Sequence, residues 1–88
     1  MLNDEYYVRP SKYGSVKITG TDLTEIEAHT IRILEDATIA ILVDDGLPSG
    51  TSAITWHGIS SPESADIEIY AAGKFTSIQL SGGKVVIF

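Results

Sequence analysis

The chain has 88 residues, with six Lys and Arg against twelve Asp and Glu, a formal net charge of −6 and no cysteine. That length allows one domain with a small core, burying roughly 60 to 65% of the surface its unfolded form exposes, so assembly with other subunits is a natural source of stability. The acidic balance argues against a nucleic-acid surface, the lack of cysteine excludes disulfides and thiolate metal sites, and no apolar run nears the ~20 residues of a membrane-spanning helix.

Residues 1–12 hold two adjacent tyrosines, a proline and mixed charges without a helical or strand period, and read as an N-terminal arm. Asn3-Asp4-Glu5 stands where a signal peptide would be basic and then apolar, so a soluble, unprocessed chain is expected. In the arm, Tyr6, Tyr7 and Val8 are candidates for docking on a neighbour, since Tyr offers large contact area at low entropic cost.

Residues 13–88 read as a single β-domain. Twelve Ile and five Val outnumber six Leu and seven Ala, and eight Thr add to the β-branched total, which favours extended backbone. Residues 13–19 alternate as a first strand, with Val16 and Ile18 on one face. Asp22 and Glu25 have capping-box spacing and predict a helical turn over residues 22–28. A helix running on to residue 43 competes, but Ile31, Ile33, Ile39 and Ile41 fit period two better. Residues 30–34 and 37–43 are therefore expected to be paired strands around Glu35-Asp36, closed by a turn at Asp44-Asp45-Gly46.

Residues 51–57 form another candidate strand, with Ile54 and Trp56 on one side, and residues 58–65 read as a loop. Residues 66–71 alternate, directing Ile67, Ile69 and Ala71 to a core. Residues 75–88 read as a closing hairpin, two apolar runs about Ser81-Gly82-Gly83, with the adjacent glycines free to take a tight turn. An apolar final strand suggests a chain end tied into a core or an interface. The sum is a mainly β chain, a small antiparallel sandwich or barrel of about six to seven short strands.

Catalytic patterns are missing. His29 and His57 are the two histidines, and Ser60 stands near His57 in sequence without a third group to complete a triad. Asp44-Asp45-Gly46 lacks the spaced carboxylates of a calcium loop and is better explained as a turn. Glu27 and His29 are too few for a zinc site. The glycines form no phosphate cradle, so no catalytic, cofactor-binding or metal-binding residue is nominated. Trp56, beside Ile54, reads as a core residue rather than as a platform for a sugar ring. From Ile33 to Gly73 there are seven acids and no Lys or Arg, most simply a solvated face and alternatively a surface for a basic partner.

Two segments, Leu34-Glu35-Asp36-Ala37-Thr38-Ile39 and the ending Gly73-Lys74-Phe75-Thr76-Ser77-Ile78-Gln79-Leu80 with Gly83-Lys84-Val85-Val86-Ile87-Phe88, resemble small virion structural proteins of tailed bacteriophages. Phe88 stands where that family ends in Tyr, and residues 1–29 have no counterpart in it. The resemblance implies a capsid decoration or cement protein, or the base of a head fibre, trimeric and bound to the major capsid protein or another virion protein. It implies a place on the virion surface after assembly in the host cytoplasm, without enzymatic activity or cofactor. The candidate interface is then Tyr6, Tyr7 and Val8 toward the shell, with Phe75, Val86, Ile87 and Phe88 toward other copies. A carbohydrate- or receptor-binding fibre or tail module using Trp56 and Tyr70, and a small acidic inhibitor, are the alternatives.

Overall fold

The computed structural model describes residues 7–8 and 16–88, and among these the chain is mainly β. In chain order come β1 (Tyr7–Val8), β2 (Val16–Thr19), β3 (Thr24–Asp44), the short helix α1 (Ala53–Trp56) and β4 (Glu68–Ile87). They form one sheet in the order β1-β3-β4-β2, with β1 parallel to β3 and the other pairs antiparallel. Most of the arm and the start of the first predicted strand lie outside the described residues.

β3 and β4 are too long to be straight partners, and each meets the other twice. Ile31 stands opposite Ile69 and also opposite Ile87, while Ile78 stands opposite Thr24 and also opposite Leu42. Each long strand therefore runs between two stretches of the other, which requires both to bend. The alternation also changes along each strand. In β3 the buried residues are Ile26 and Ala28, then Ile31, Ile33, Ala37 and Ile39, then Leu42 and Asp44, so the inward phase moves from even to odd positions and back. β4 does the same, burying Ile69 and Phe75, then Ile78 and Leu80, then Val85 and Ile87. Because successive residues in a strand face opposite sides, each change of phase marks an irregular step in the ladder.

These continuous strands replace the short ones expected from the sequence, and four strands are described where six or seven were expected. Glu35-Asp36 and Ser81-Gly82-Gly83 are not hairpin turns. Residues 84–87 pair with β2 and with residues 31–35, and residues 75–80 pair with the two ends of β3, so the two arms of the predicted terminal hairpin never pair with each other. Gly83 takes φ +84°, and a Cβ there would lie 2.5 Å from the Cα of Ala37. Its lack of a side chain lets the bend of β4 cross the bend of β3 in contact.

The predicted helical turn over residues 22–28 is extended instead, because Ile26 and Ala28 are buried in a segment paired with β1 on one edge and β4 on the other. A ladder on both edges outweighs one capping box. Conversely, residues 53–56 of the predicted strand 51–57 are α1. The Ser52 side chain accepts the Thr55 N–H at 3.3 Å, and Ala53 and His57 share the inward face at helical spacing. Seven residues are too few to separate a period of two from 3.6 when Ala53 and His57 suit both.

The interior is apolar, with Phe75, Ile26, Ile31, Ile33, Ile78, Leu80, Val85 and Ile87 fully buried. The loop after α1 runs beside the bend of β3, bonding Glu63 to Ala37 in both directions and Asp66 N–H to the Ile33 carbonyl. Ala65 donates its N–H to the Asp36 carboxylate at 3.0 Å.

Candidate functional site

The one buried charged side chain among the described residues is Asp44, at the end of β3. Its burial follows from an irregular step. Ile39 lies opposite Leu80 and Ile41 opposite Gln79, so β3 advances two residues while β4 advances one. This bulge, with Ala40 as the extra residue, reverses the alternation, sending Leu42 and Asp44 inward and Ile41 and Val43 outward.

Once inside, the carboxylate is fully engaged. Oδ1 accepts the N–H groups of Gly46 at 2.9 Å and Gly73 at 3.0 Å, and Oδ2 accepts those of Ala72 at 2.7 Å and His57 Nε2 at 2.9 Å. A carboxylate has about four lone-pair directions, and all are occupied. The bond assigns the His57 proton to Nε2, and the ring also lies edge-on to Phe75 with centroids 5.7 Å apart. Burial on its own pushes the Asp44 carboxyl up and is the largest single influence. The bonds from His57, Ala72, Gly46 and Gly73 together outweigh it and bring the pKa down from 3.8 to about 2.

The neighbouring residues continue the junction. Asp45 accepts the Lys74 N–H at 2.7 Å and gives its own N–H to the Lys74 carbonyl at 2.9 Å. Gly46 packs directly on Ala72-Gly73, where an added Cβ would lie 2.6 Å from the Ala72 carbonyl carbon. Asp44-Asp45-Gly46 is thus the turn expected from the sequence, and it also clamps the end of β3 to the middle of β4 and, through His57, to α1. Every acceptor position of the carboxylate is filled by its own chain, which leaves none for a metal ion. Glu27 is bonded to Lys74 at 3.0 Å, and His29 Nδ1 lies 3.3 Å from the Gly73 carbonyl oxygen. Among the described residues no group of three or more His, Asp or Glu is placed to hold a metal ion.

The outward faces of the sheet carry several exposed apolar groups. On one, Ile41 and Val43 stand opposite Gln79 and Ser77. On the other, Tyr70 near the start of β4, Thr30 of β3 and Phe88 just past the end of β4 lie side by side, the last two joined by backbone bonds in both directions. One step along, Glu68, Arg32, Val86 and Lys17 form a second row. The Tyr70 hydroxyl donates to the Glu68 carboxylate, which pushes the phenol pKa up.

The candidate interface residues divide accordingly. Phe75 and Ile87 are each 0% exposed within one chain, so their side chains pack in its own core. Period-two reading placed them on strands but could not say which face the bends would enclose. Val86 is half-buried and Phe88 exposed, both on the outer face. Tyr6 lies outside the described residues, whereas the backbones of Tyr7 and Val8 pair with Glu25 and Ile26. Trp56 is not a core residue: it is 58% exposed, because the helix that buries Ala53 turns the indole outward. Asp44 and His57 were missed as a pair. Their one sequence signal was an acid two positions after Leu42, on the face that a strand ending would bury. Comparison with protein-family models, with curated proteins and with solved structures finds no match to this chain.

Proposed function

We propose that this chain is a structural virion protein of a tailed phage, which decorates and stabilises the capsid by associating with itself and with the shell. The observation that carries this reading is the exposure of large apolar side chains, among them Leu23, Ile41, Val43, Tyr70 and Phe88, on a small chain whose buried side-chain polar atoms, among the described residues, all have hydrogen-bond partners. Apolar groups clustered on a surface mark contact sites, while the filled acceptors of Asp44 leave it no position for a metal ion. The resemblance of residues 34–39 and 73–88 to phage virion proteins supplies the setting: a trimer at the capsid surface, contacting the major capsid protein. The double partnering of β3 and β4 supports a small antiparallel sandwich or barrel as the finer description of the fold.

The mechanism is mechanical. Each copy that buries surface against the shell and against other copies adds association free energy, and the assembled state gains stability by mass action without turnover. Quantitative mass spectrometry of purified particles is expected to find the chain in many copies, and deletion of residues 1–12 to release it from them. A chain absent from particles overturns the reading.

The exposed Trp56 favours a second reading, a receptor- or carbohydrate-binding fibre module, in which the indole stacks on a pyranose ring. Glycan binding that disappears in Trp56→Ala would move the assignment there.

A further inference from the structure

We propose that the outer face carrying Tyr70, Thr30 and Phe88 with Glu68, Arg32, Val86 and Lys17 is the surface through which copies of this chain meet, an inference that rests on the self-association proposed above. The argument is one of charge. The chain carries −6, so two copies repel each other across most orientations. On this face, however, three of the six cations (Lys17, Arg32 and Lys84) stand with four of the twelve acids (Glu35, Asp36, Asp66 and Glu68), so five of the six surplus negative charges lie elsewhere on the chain. Arg32 reaches Asp66 at 3.5 Å and Lys84 reaches Glu35 at 3.1 Å, both exposed pairs that a partner can rearrange at little cost.

The nearly neutral face is also an apolar one. Tyr70 and Phe88 flank Thr30, and Leu34 and Val86 lie on the same side of their strands. Aromatic and aliphatic groups among balanced charges are the composition of a contact surface, with the charges setting register.

The charges are also ordered. Glu68 ends the second row on one edge and Lys17 ends it on the other, with Arg32 and Val86 between them. At about 4.8 Å per strand, the two ends are roughly 14 Å apart, too far to pair within one chain. Two copies that bring the Glu68 end of one against the Lys17 end of the next satisfy both. The row crosses four adjacent stretches, of β4, β3, β4 again and β2, so the face spans roughly 20 Å.

Sedimentation velocity and native mass spectrometry of the full chain, from about 1 to 500 µM, test this. Lys17→Glu and Glu68→Lys are each expected to weaken self-association about tenfold or more, and the double reversal to restore it to within about threefold of the parent. Both sites are exposed, so the variants are expected to fold, which circular dichroism checks. Tyr70→Phe removes the bond to Glu68 without changing a charge, and is expected to leave the effect of Glu68→Lys intact. If the parent associates but the single reversals do not weaken it, or the double reversal does not restore it, this face is the wrong one while the self-association reading stands. A parent chain that remains monomeric throughout overturns both.

Discussion

Residues 31–39 and residues 42–44 belong to the same strand, yet they follow opposite rules. In the first stretch odd positions face the core, as Ile31, Ile33, Ala37 and Ile39 do, and in the second the even positions Leu42 and Asp44 take over. The switch is local, one extra residue at Ala40, but its results differ greatly in kind. It turns Ile41 and Val43 into surface groups, and it moves an acid from the solvent side of a strand into the interior. An unpaired buried carboxylate would cost several kcal/mol, so the fold around the second stretch is organised to supply donors: the Gly46 turn, the Ala72-Gly73 backbone and the His57 ring. The first stretch needs nothing of the kind. A bulge is therefore more than a defect in pairing, since it sets which chemistry the neighbouring segments must provide.

The contrast can be broken most forcefully by deletion. Removing Arg32, in the first stretch, reverses the facing of the residues around it, and loss of cooperative unfolding is expected in urea titrations followed by circular dichroism. Removing Ala40 takes away the extra residue but leaves Ile39, Leu42 and Asp44 facing inward. This variant is expected to fold, losing about 1 to 2 kcal/mol with the local twist. Equal damage from both deletions would show that Ala40 does not set the phase.

A smaller effect sharpens the same comparison at the crossing of the two bends. Gly83→Ala places a Cβ against Asp36 and Ala37 at a positive φ, and about 2 to 4 kcal/mol of destabilisation is expected. Gly82→Ala meets nothing within 4 Å and is expected to cost less than about 1 kcal/mol. A true hairpin turn at Gly82-Gly83 would make both substitutions matter, so similar urea midpoints would contradict the continuous bend.

The regular stretches were legible and the irregular ones were not. Val16 and Ile18, or Ile31 and Ile33, carry their facing in their own alternation, and the structure places them as that alternation predicts. The bulge at Ala40 depends on the register of a strand about forty residues away, so no local pattern announces it, and Ile41 reads as the partner of Ile39. Gly82-Gly83 announced an unusual backbone but not its purpose, because the same residues serve a turn and a close crossing. Trp56 was misplaced together with its helix: once Ala53 and His57 are seen to share a face four residues apart, the indole has to point away. The Asp44 site was half legible, as a turn. What it binds comes from β4 and α1, and that is tertiary information.

Acid should separate the two stretches most finely. The Asp44 pKa is about 2 in the folded chain against 3.8 ordinarily, so above pH 4 the carboxylate is charged in both states and its stabilisation is fully present. As pH falls from about 4, the unfolded chain takes up a proton on this group while the folded chain resists it, and the contribution is lost as pH passes through about 2. At about 1.4 kcal/mol per unit of pKa, the loss is roughly 2 kcal/mol. Exposed carboxylates also titrate in this range, so the measurement is a difference, with the urea midpoint of the parent and of Asp44→Asn followed from pH 6 to pH 2. Asp44→Asn is expected to be less stable at neutral pH, because an amide cannot accept all four donors, and its curve should approach that of the parent as pH falls. Parallel curves would mean that the bonds to His57 and the three backbone amides do not hold the carboxylate in its charged form, and that the bulge brings Asp44 inward without making it part of what stabilises the fold.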